Sequence, residues 1–222
     1  MLTPAAKKAL IVAYFVIAIA LGIKPYDRAT WALENSVPFL EGLAAILYCR
    51  YRGVELTGLS YVLIFLHLVI QMIGGHYTYE RVAFFDTLKE YFGWSRNHYD
   101  RVAHFAVGFC LHIPIREICL RRTPLAASRP WAAFFTLMTI CAIAGIWEVW
   151  EWLVAATAYS DLGTAYLGTQ GDPWDAQKDI LLAPLGAITV GLLFRNWHDR
   201  ILNKHNLVPD SFPPPPIKKG SA

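Results

Sequence analysis

The sequence predicts an all-α fold: a polytopic transmembrane helix bundle of about six spans, with both termini cytoplasmic. Three observations carry this. Hydrophobic residues make up 55% of the 222 positions, and the mean hydropathy is +0.35. Only 17% of residues are charged, against about 25% in an ordinary soluble domain. The apolar residues fall in runs bounded by charges, several near the ~20 residues that cross a bilayer.

The first run, Ala9–Ile23, is apolar throughout and flanked by Lys7, Lys8 and Lys24. Together with Ala18-Ile19-Ala20 it also suits a cleavable signal peptide, although Lys24 and Pro25 suit an uncleaved span. Removing it would leave the orientation of the rest unchanged. The second, Val37–Tyr48, is short, with Pro38 near its start and Glu41 inside. The third, Leu56–Tyr79, has no Asp, Glu, Lys or Arg after Leu56 and is the strongest. Arg81–Arg96 reads as a loop with a short interfacial helix carrying Tyr91, Phe92 and Trp94. The fourth run, Val102–Ile115, contains His104 and His112. The fifth, Pro130–Trp147, continues through Glu148 and Glu151 to about Tyr159. The sixth, Ile180–Phe194, follows Asp179. Residues 1–202 form the expected membrane domain, and 203–222, with Pro213–Pro216, a disordered cytoplasmic tail.

Lys and Arg set the orientation. Six spans place 13 of them with the two termini and 7 on the other side. The side with 13 is therefore the cytoplasm. Segments four, five and six then bring their acids and histidines to the external face. These are His98, Asp100 and His104; Glu148 and Glu151; and Asp172, Asp175 and Asp179. Glu41, near the start of segment two, and His76, ending segment three, fall there too. Asp100 and His104 are four apart and Glu148 and Glu151 three apart, so each pair shares a helical face. Asp172 suits a helix N-cap before Pro173. Gly108, Gly145 and Gly186 suit close approach of the same three helices.

Ionisable residues at the ends of apolar spans are costly, so their gathering marks a candidate site. The candidate set is Asp100, His104, Glu148, Asp175 and Asp179 for catalysis, with Glu151 added as a further metal ligand. Carboxylates with imidazole suit a divalent metal ion, the one candidate cofactor. A metal there could activate water against a lipid-linked phosphate or ester. Without one, Glu148 or Asp175 could act as a general base with His104 as proton partner. Cys49, Cys110, Cys119 and Cys141 form no close-spaced pair, so neither a zinc motif nor a disulfide framework is suggested. The basic residues form no stripe that would suit nucleic acid. The expected partner is membrane lipid.

The motifs NHYDRVAHF at 97–105, WEVWEW at 147–152 and QGDPWDAQKDILLAPLGA at 170–187 resemble the YjdF-type family of bacterial inner-membrane proteins. The resemblance implies a multi-pass fold in the bacterial plasma (inner) membrane. More distantly, Asp100-Arg101-x-x-His104-Phe105, a later Glu, and Asp175-x-x-x-Asp179 look VanZ-like, which implies envelope chemistry. Arg101 stands where that motif often has Lys, and Glu148-x-x-Glu151 where it has Glu followed by Gln. The expected function is an integral inner-membrane protein with an Asp/His/Glu site on its external face, a candidate for metal binding and for action on an envelope lipid or cell-wall precursor. The alternatives are a structural membrane protein whose polar residues form an interhelical network, and a small-molecule transporter.

Overall fold

The computed structural model describes residues 1–157 and 169–209. Among these residues the secondary structure is helical: α1 (Pro4–Gly22), α2 (Arg28–Arg52), α3 (Gly58–His76), α4 (Ala83–Phe92), α5 (Tyr99–Arg122), a 3-10 turn (Pro124–Ala127), α6 (Arg129–Thr157) and α7 (Asp175–Lys204). Five of them, α1, α3, α5, α6 and α7, are long and apolar enough to cross a membrane. The 25 residues of α2 cover about 38 Å, enough for a sixth span. Its acids and arginines keep it from being counted among the helices apolar enough to cross by composition alone. The short helix α4 lies where the interfacial helix is expected. The expected continuation of segment five to Tyr159 lies outside the described residues. So does the tail from residue 210 onward, whereas 203–204 complete α7.

Local chemistry fixes the helix ends. The Thr3 hydroxyl accepts from the Ala6 N–H at 3.2 Å, with Pro4 in the first turn of α1. Asp27 accepts from the Thr30 N–H at 2.7 Å and starts α2 well before the expected Val37. This corrects the placing of Glu41, which lies at the middle of α2 rather than near its outer end. Gly53, in the left-handed region at φ 58, stops α2.

Contacts between helix ends give the topology. His76, ending α3, bonds through Nδ1 to the Leu21 carbonyl near the end of α1 at 2.6 Å, and Lys7 of α1 pairs with Glu55 just before α3. The two helices are therefore parallel, with α2 antiparallel between them in sequence. Tyr99, starting α5, donates to the Ile70 carbonyl late in α3 at 2.8 Å, so α5 runs against α3. Arg101 reaches Asp175 at the start of α7, and Arg116 reaches Asp199 near its end. Thus α7 runs parallel to α5, and α6 runs back between them. The starts of α2, α5 and α7 share one end of the bundle with the ends of α3 and α6.

Helix α5 is the hub, packed against α3, α6 and α7. Its seam with α7 is backbone on backbone. A Cβ on Gly108 would collide with the Ala183 carbonyl oxygen, and one on Gly186 with that of Phe105. Small residues at such seams let helix backbones touch where lipid supplies no hydrophobic drive. The expectation for Gly145 fails, because a Cβ there meets nothing within 4 Å. Below the seam, Cys110, Ile113, Val190 and Leu63 form a buried core.

The far end of α5 carries a second polar group of residues. Glu117, fully buried, accepts from the Thr57 N–H (2.9 Å), the Thr57 hydroxyl (2.8 Å), the Ser60 hydroxyl (2.6 Å) and Arg121 (2.6 Å). Beside it, Arg116 donates to His198 Nδ1 at 3.0 Å and to Asp199 at 2.7 Å. Buried charge with this many partners ties α3, α5 and α7 at their basic end.

Candidate functional site

The loop before α5 is pinned by Asn97, which is fully buried. Its amide donates to the Val82 carbonyl (3.1 Å) and to Asp86 (2.9 Å), and its Oδ1 accepts from the Tyr99 N–H (3.0 Å). Gln170 forms a reciprocal pair with the Asn97 backbone, at 2.8 and 3.0 Å. Gln170 and Gly171 turn through positive φ, 49 and 85, where glycine at 171 removes the steric cost. The two chain segments that open α5 and α7 are thereby fastened together, which sets Arg96, Asp100 and Arg101 against the acids of α7.

Two arginines bridge this junction. Arg96, 5% exposed, pairs with Asp175 and lies 3.4 Å from Asp100. Arg101 reaches Asp172 at 2.7 Å and Asp175 at 2.8 Å, and its Nε stands 3.6 Å from Asp179. Lys178 adds 2.6 Å to Asp172. Hydrogen bonds from Lys178 and then Arg101 hold the Asp172 carboxyl well below the usual carboxylate range. His98, just ahead of α5, is pushed below the usual imidazole range by burial and then by Arg96 and Arg101. The expected capping role of Asp172 needs correction: α7 begins at Asp175 with Trp174 before it, and Asp172 accepts from the Trp174 N–H at 3.1 Å in a turn.

Behind the arginines lies a group with fewer partners. One ligand-type atom from each of Asp100, His104 and Asp179 falls within 4.8 Å of the others. His104 Nε2 stands 3.4 Å from Asp100 Oδ1 and 3.6 Å from Glu148 Oε1. Asp179 Oδ1 and Glu148 Oε1 are buried without a hydrogen-bond partner. Four of the six expected residues, Asp100, His104, Glu148 and Asp179, therefore converge. Asp175 is adjacent, but one of its oxygens is engaged by both Arg96 and Arg101. Glu151 accepts from Trp147 Nε1 at 2.6 Å and faces a cleft beside the group. In chemical terms the set offers oxygen and nitrogen ligands to a cation, with a carboxylate next to an imidazole for proton transfer.

Sequence reasoning left Glu34, Arg96, Asn97 and Arg101 out of the candidate set. Glu34 is 3% exposed with Oε2 unpartnered, and it lies within electrostatic reach of Asp100, His104 and Glu148. Starting α2 at the Asp27 cap would have placed Glu34 and Glu41, seven apart, on one helical face.

The cleft is a narrow vestibule of about 30 Å³, walled by α2 and α6, with α3 and α5 at its back. Pro38 and Glu41 line it from α2, His67 and Gln71 from α3, Asp100, Ala103, His104 and Val107 from α5, and Ile143, Ala144, Trp147 and Glu151 from α6, with Tyr79 alongside. Its lining spans about 10 Å along α5 and about 12 Å along α6. It begins at the acid-rich end and stops near the middles of α2 and α3, where Glu41 Oε2 stands 3.4 Å from His67 Nε2.

Residues 6–200 match a family model described as "Predicted membrane protein (DUF2238)". The chain is 37% identical over 193 residues to the "Inner membrane protein YjdF" of Escherichia coli (strain K12), covering 87% of this chain and 90% of that protein. No solved structure matches.

Proposed function

Since the chain belongs to the DUF2238 family of predicted membrane proteins and is a multi-pass protein of the bacterial inner membrane, we propose that its acid-rich end faces outward and holds a divalent cation serving chemistry on an envelope lipid or cell-wall precursor. One observation carries the reading: Asp100, His104 and Asp179 offer ligand atoms within 4.8 Å, beside two buried carboxylate oxygens, on Asp179 and Glu148, that have no donor. Buried acids in such excess call for a cation. The outward orientation rests on Lys and Arg, of which, among the described residues, 11 lie at the other end and 7 at the acid-rich end.

Asp100 and Asp179 supply hard oxygen ligands and His104 a nitrogen ligand, a mixture that suits zinc, manganese, iron or magnesium. A bound ion would supply Lewis-acid activation of water or of a phosphoryl or ester oxygen. Glu148, beside His104, is placed to take up a proton. Asp175 holds α7 to α5 through the two arginines. Glu151, tethered by Trp147, shapes the vestibule.

Metal analysis of purified protein tests the reading. The wild type is expected to hold about one equivalent of a divalent ion, and Asp100→Ala and Asp179→Ala none. No stoichiometric metal in the wild type sinks it. The closed Arg96–Asp175 and Arg101–Asp172 pairs support a second reading, a purely structural lock between α5 and α7. That reading predicts that each site substitution lowers thermal stability and that no metal binds. The vestibule's floor at mid-membrane and the closed Glu117 network favour a one-sided site over a transport path.

A further inference from the structure

The vestibule, at about 30 Å³, has room for about two waters and none for the lipid-linked phosphate or ester that the site would act on. Tyr79 enters it from the loop after α3. The backbone of Tyr79 lies beyond His76, the last residue of α3, yet its hydroxyl reaches back to donate to Gln71 Oε1 at 2.6 Å. Gln71 lies five residues before His76, about 8 Å inside the end of the helix. The ring covers Gly74, where a Cβ would collide with it, and packs against the cluster of Tyr99 and Ala103 on α5. Tyr79 and Gln71 line the vestibule together with Asp100 and His104. The side chain is thus a plug, inserted from the acid-rich end.

The backbone that carries the plug is strained. The Tyr79 N–H donates to the Gly74 carbonyl at 2.8 Å. This closes the six-residue turn that commonly ends a helix, and its left-handed position is usually glycine. Here that position is Thr78, at φ 53, and Tyr79 follows at φ 55. Left-handed backbone crowds the Cβ of both residues. The Thr78 hydroxyl is buried without a hydrogen-bond partner, so it does not offset the cost. Strain of this kind clusters at clamps and switch regions, and persists only where surrounding contacts hold it. The contacts here are the Gln71 amide, the Gly74 surface and the Tyr99 ring, 6.2 Å away between centroids. A ring held inward by few contacts, on backbone that gains by relaxing, has a second arrangement within reach.

We propose that Tyr79 is the gate of the site: the Thr78–Tyr79 turn relaxes, the ring leaves Gly74 and Gln71, and the vestibule opens onto Asp100 and His104 for a substrate that the closed form excludes. The inference rests on reading that end of the bundle as the functional site, and it adds the control of access to it. Gly74 gives the closed ring its seat, Gln71 its latch, and Thr78 the tendency to open.

Ala103, 1% exposed, lies behind the ring and lines the vestibule, so a thiol placed there reports on the gate. The test is the rate at which a water-soluble methanethiosulfonate labels Ala103→Cys in the full-length protein, in uncharged detergent with chelator present. Peptide-resolved mass spectrometry reads it, with buried Cys110 as the internal reference for global loosening. With Tyr79 intact, labelling is expected to be slow. Tyr79→Phe keeps the ring and removes only the latch, so a static wall would not respond; a gate should label about tenfold faster, the worth of one hydrogen bond. Thr78→Gly relieves the strain of the closed form and should slow labelling about fivefold. Gly74→Ala, which displaces the ring, should label fastest; if it does not fold, the other two variants decide. A wild-type rate in Tyr79→Phe, a rate in Thr78→Gly that is not slower, or equal acceleration at Cys110 overturns the gate. Chelator makes these rates independent of metal. Failure here leaves the metal reading to the Asp100→Ala and Asp179→Ala analysis, and absence of metal there leaves the labelling rates standing.

Discussion

Glu148 Oε1 stands 3.6 Å from His104 Nε2 and receives no hydrogen bond, while Asp179 Oδ1, in the same group, is also without a donor. Two such oxygens near Asp100 and Glu34 concentrate negative charge in a small buried volume. In chelator, removing one charge should relieve repulsion. Asp179→Asn is therefore expected to raise Tm in the metal-free protein, and to lose the stabilisation that added metal gives the wild type. At one hundred times the dissociation constant, bound metal stabilises by about 2.7 kcal/mol. Thermal unfolding of both proteins, with and without metal, checks this. A lower Tm for Asp179→Asn in chelator would favour the structural lock.

Arg96 carries the opposite expectation. It is nearly enclosed and faces Asp175 and Asp100. Arg96→Ala leaves those acids without their main cation, and breaking a buried pair from one side costs about 3–5 kcal/mol. Arg96→Lys should recover only part of this, since a single ammonium cannot present the fork that reaches two carboxylates. Unfolding in mixed micelles of graded sodium dodecyl sulfate measures both.

Two of the three glycines singled out by the sequence should separate cleanly. Gly186→Ala puts a methyl into the Phe105 carbonyl and should force α5 and α7 apart, costing 1–3 kcal/mol or more. Gly145→Ala meets nothing and should be neutral or stabilising by up to about 1 kcal/mol through helix propensity. Melting temperatures of the two variants, measured side by side, test the seam directly.

Asp172 supplies a pH dependence. Its carboxyl is held below the usual range by Lys178 and Arg101. A group with a depressed folded pKa stabilises the fold above its unfolded pKa, about 3.9, and loses that contribution as pH falls through the folded value. Asp172→Asn is expected to lower Tm at pH 7, and the difference from wild type should shrink as pH falls below about 4. A difference that grows in acid would contradict the assignment.

Much of this architecture was legible because lipid imposes simple demands. Long apolar runs announced α1, α3 and α6, and the alternation of six spans fixed which helix ends share a side. The acids of α5, α6 and α7 could therefore be assigned to one end before any contact was known. The boundaries of α2 were not legible, because Glu34 and Asn35 look like loop residues until the Asp27 cap is recognised. Missing that cap concealed Glu34 and misplaced Glu41. Glu117 also escaped, since its partners Thr57 and Ser60 lie sixty and fifty-seven positions away and no local spacing links them. Which acids are paired and which are free depends on Arg96 and Arg101, whose reach across to α7 is a tertiary fact.

The two polar ends of α5 also differ in how much of each can form before α7 is made. Thr57, Ser60 and Arg121, which satisfy Glu117, all precede α6 in the chain. The Glu117 half of that end can therefore close while the later helices are still being synthesised, whereas Arg116 waits for His198 and Asp199. Asp100, Arg96 and Arg101 must wait for Asp175 and Asp179, and Gly108 waits for Gly186. The acid-rich end is thus assembled last during biogenesis, and a nascent chain halted before α7 would hold Glu117 satisfied at one end of α5 and Arg96 and Arg101 without their α7 partners at the other.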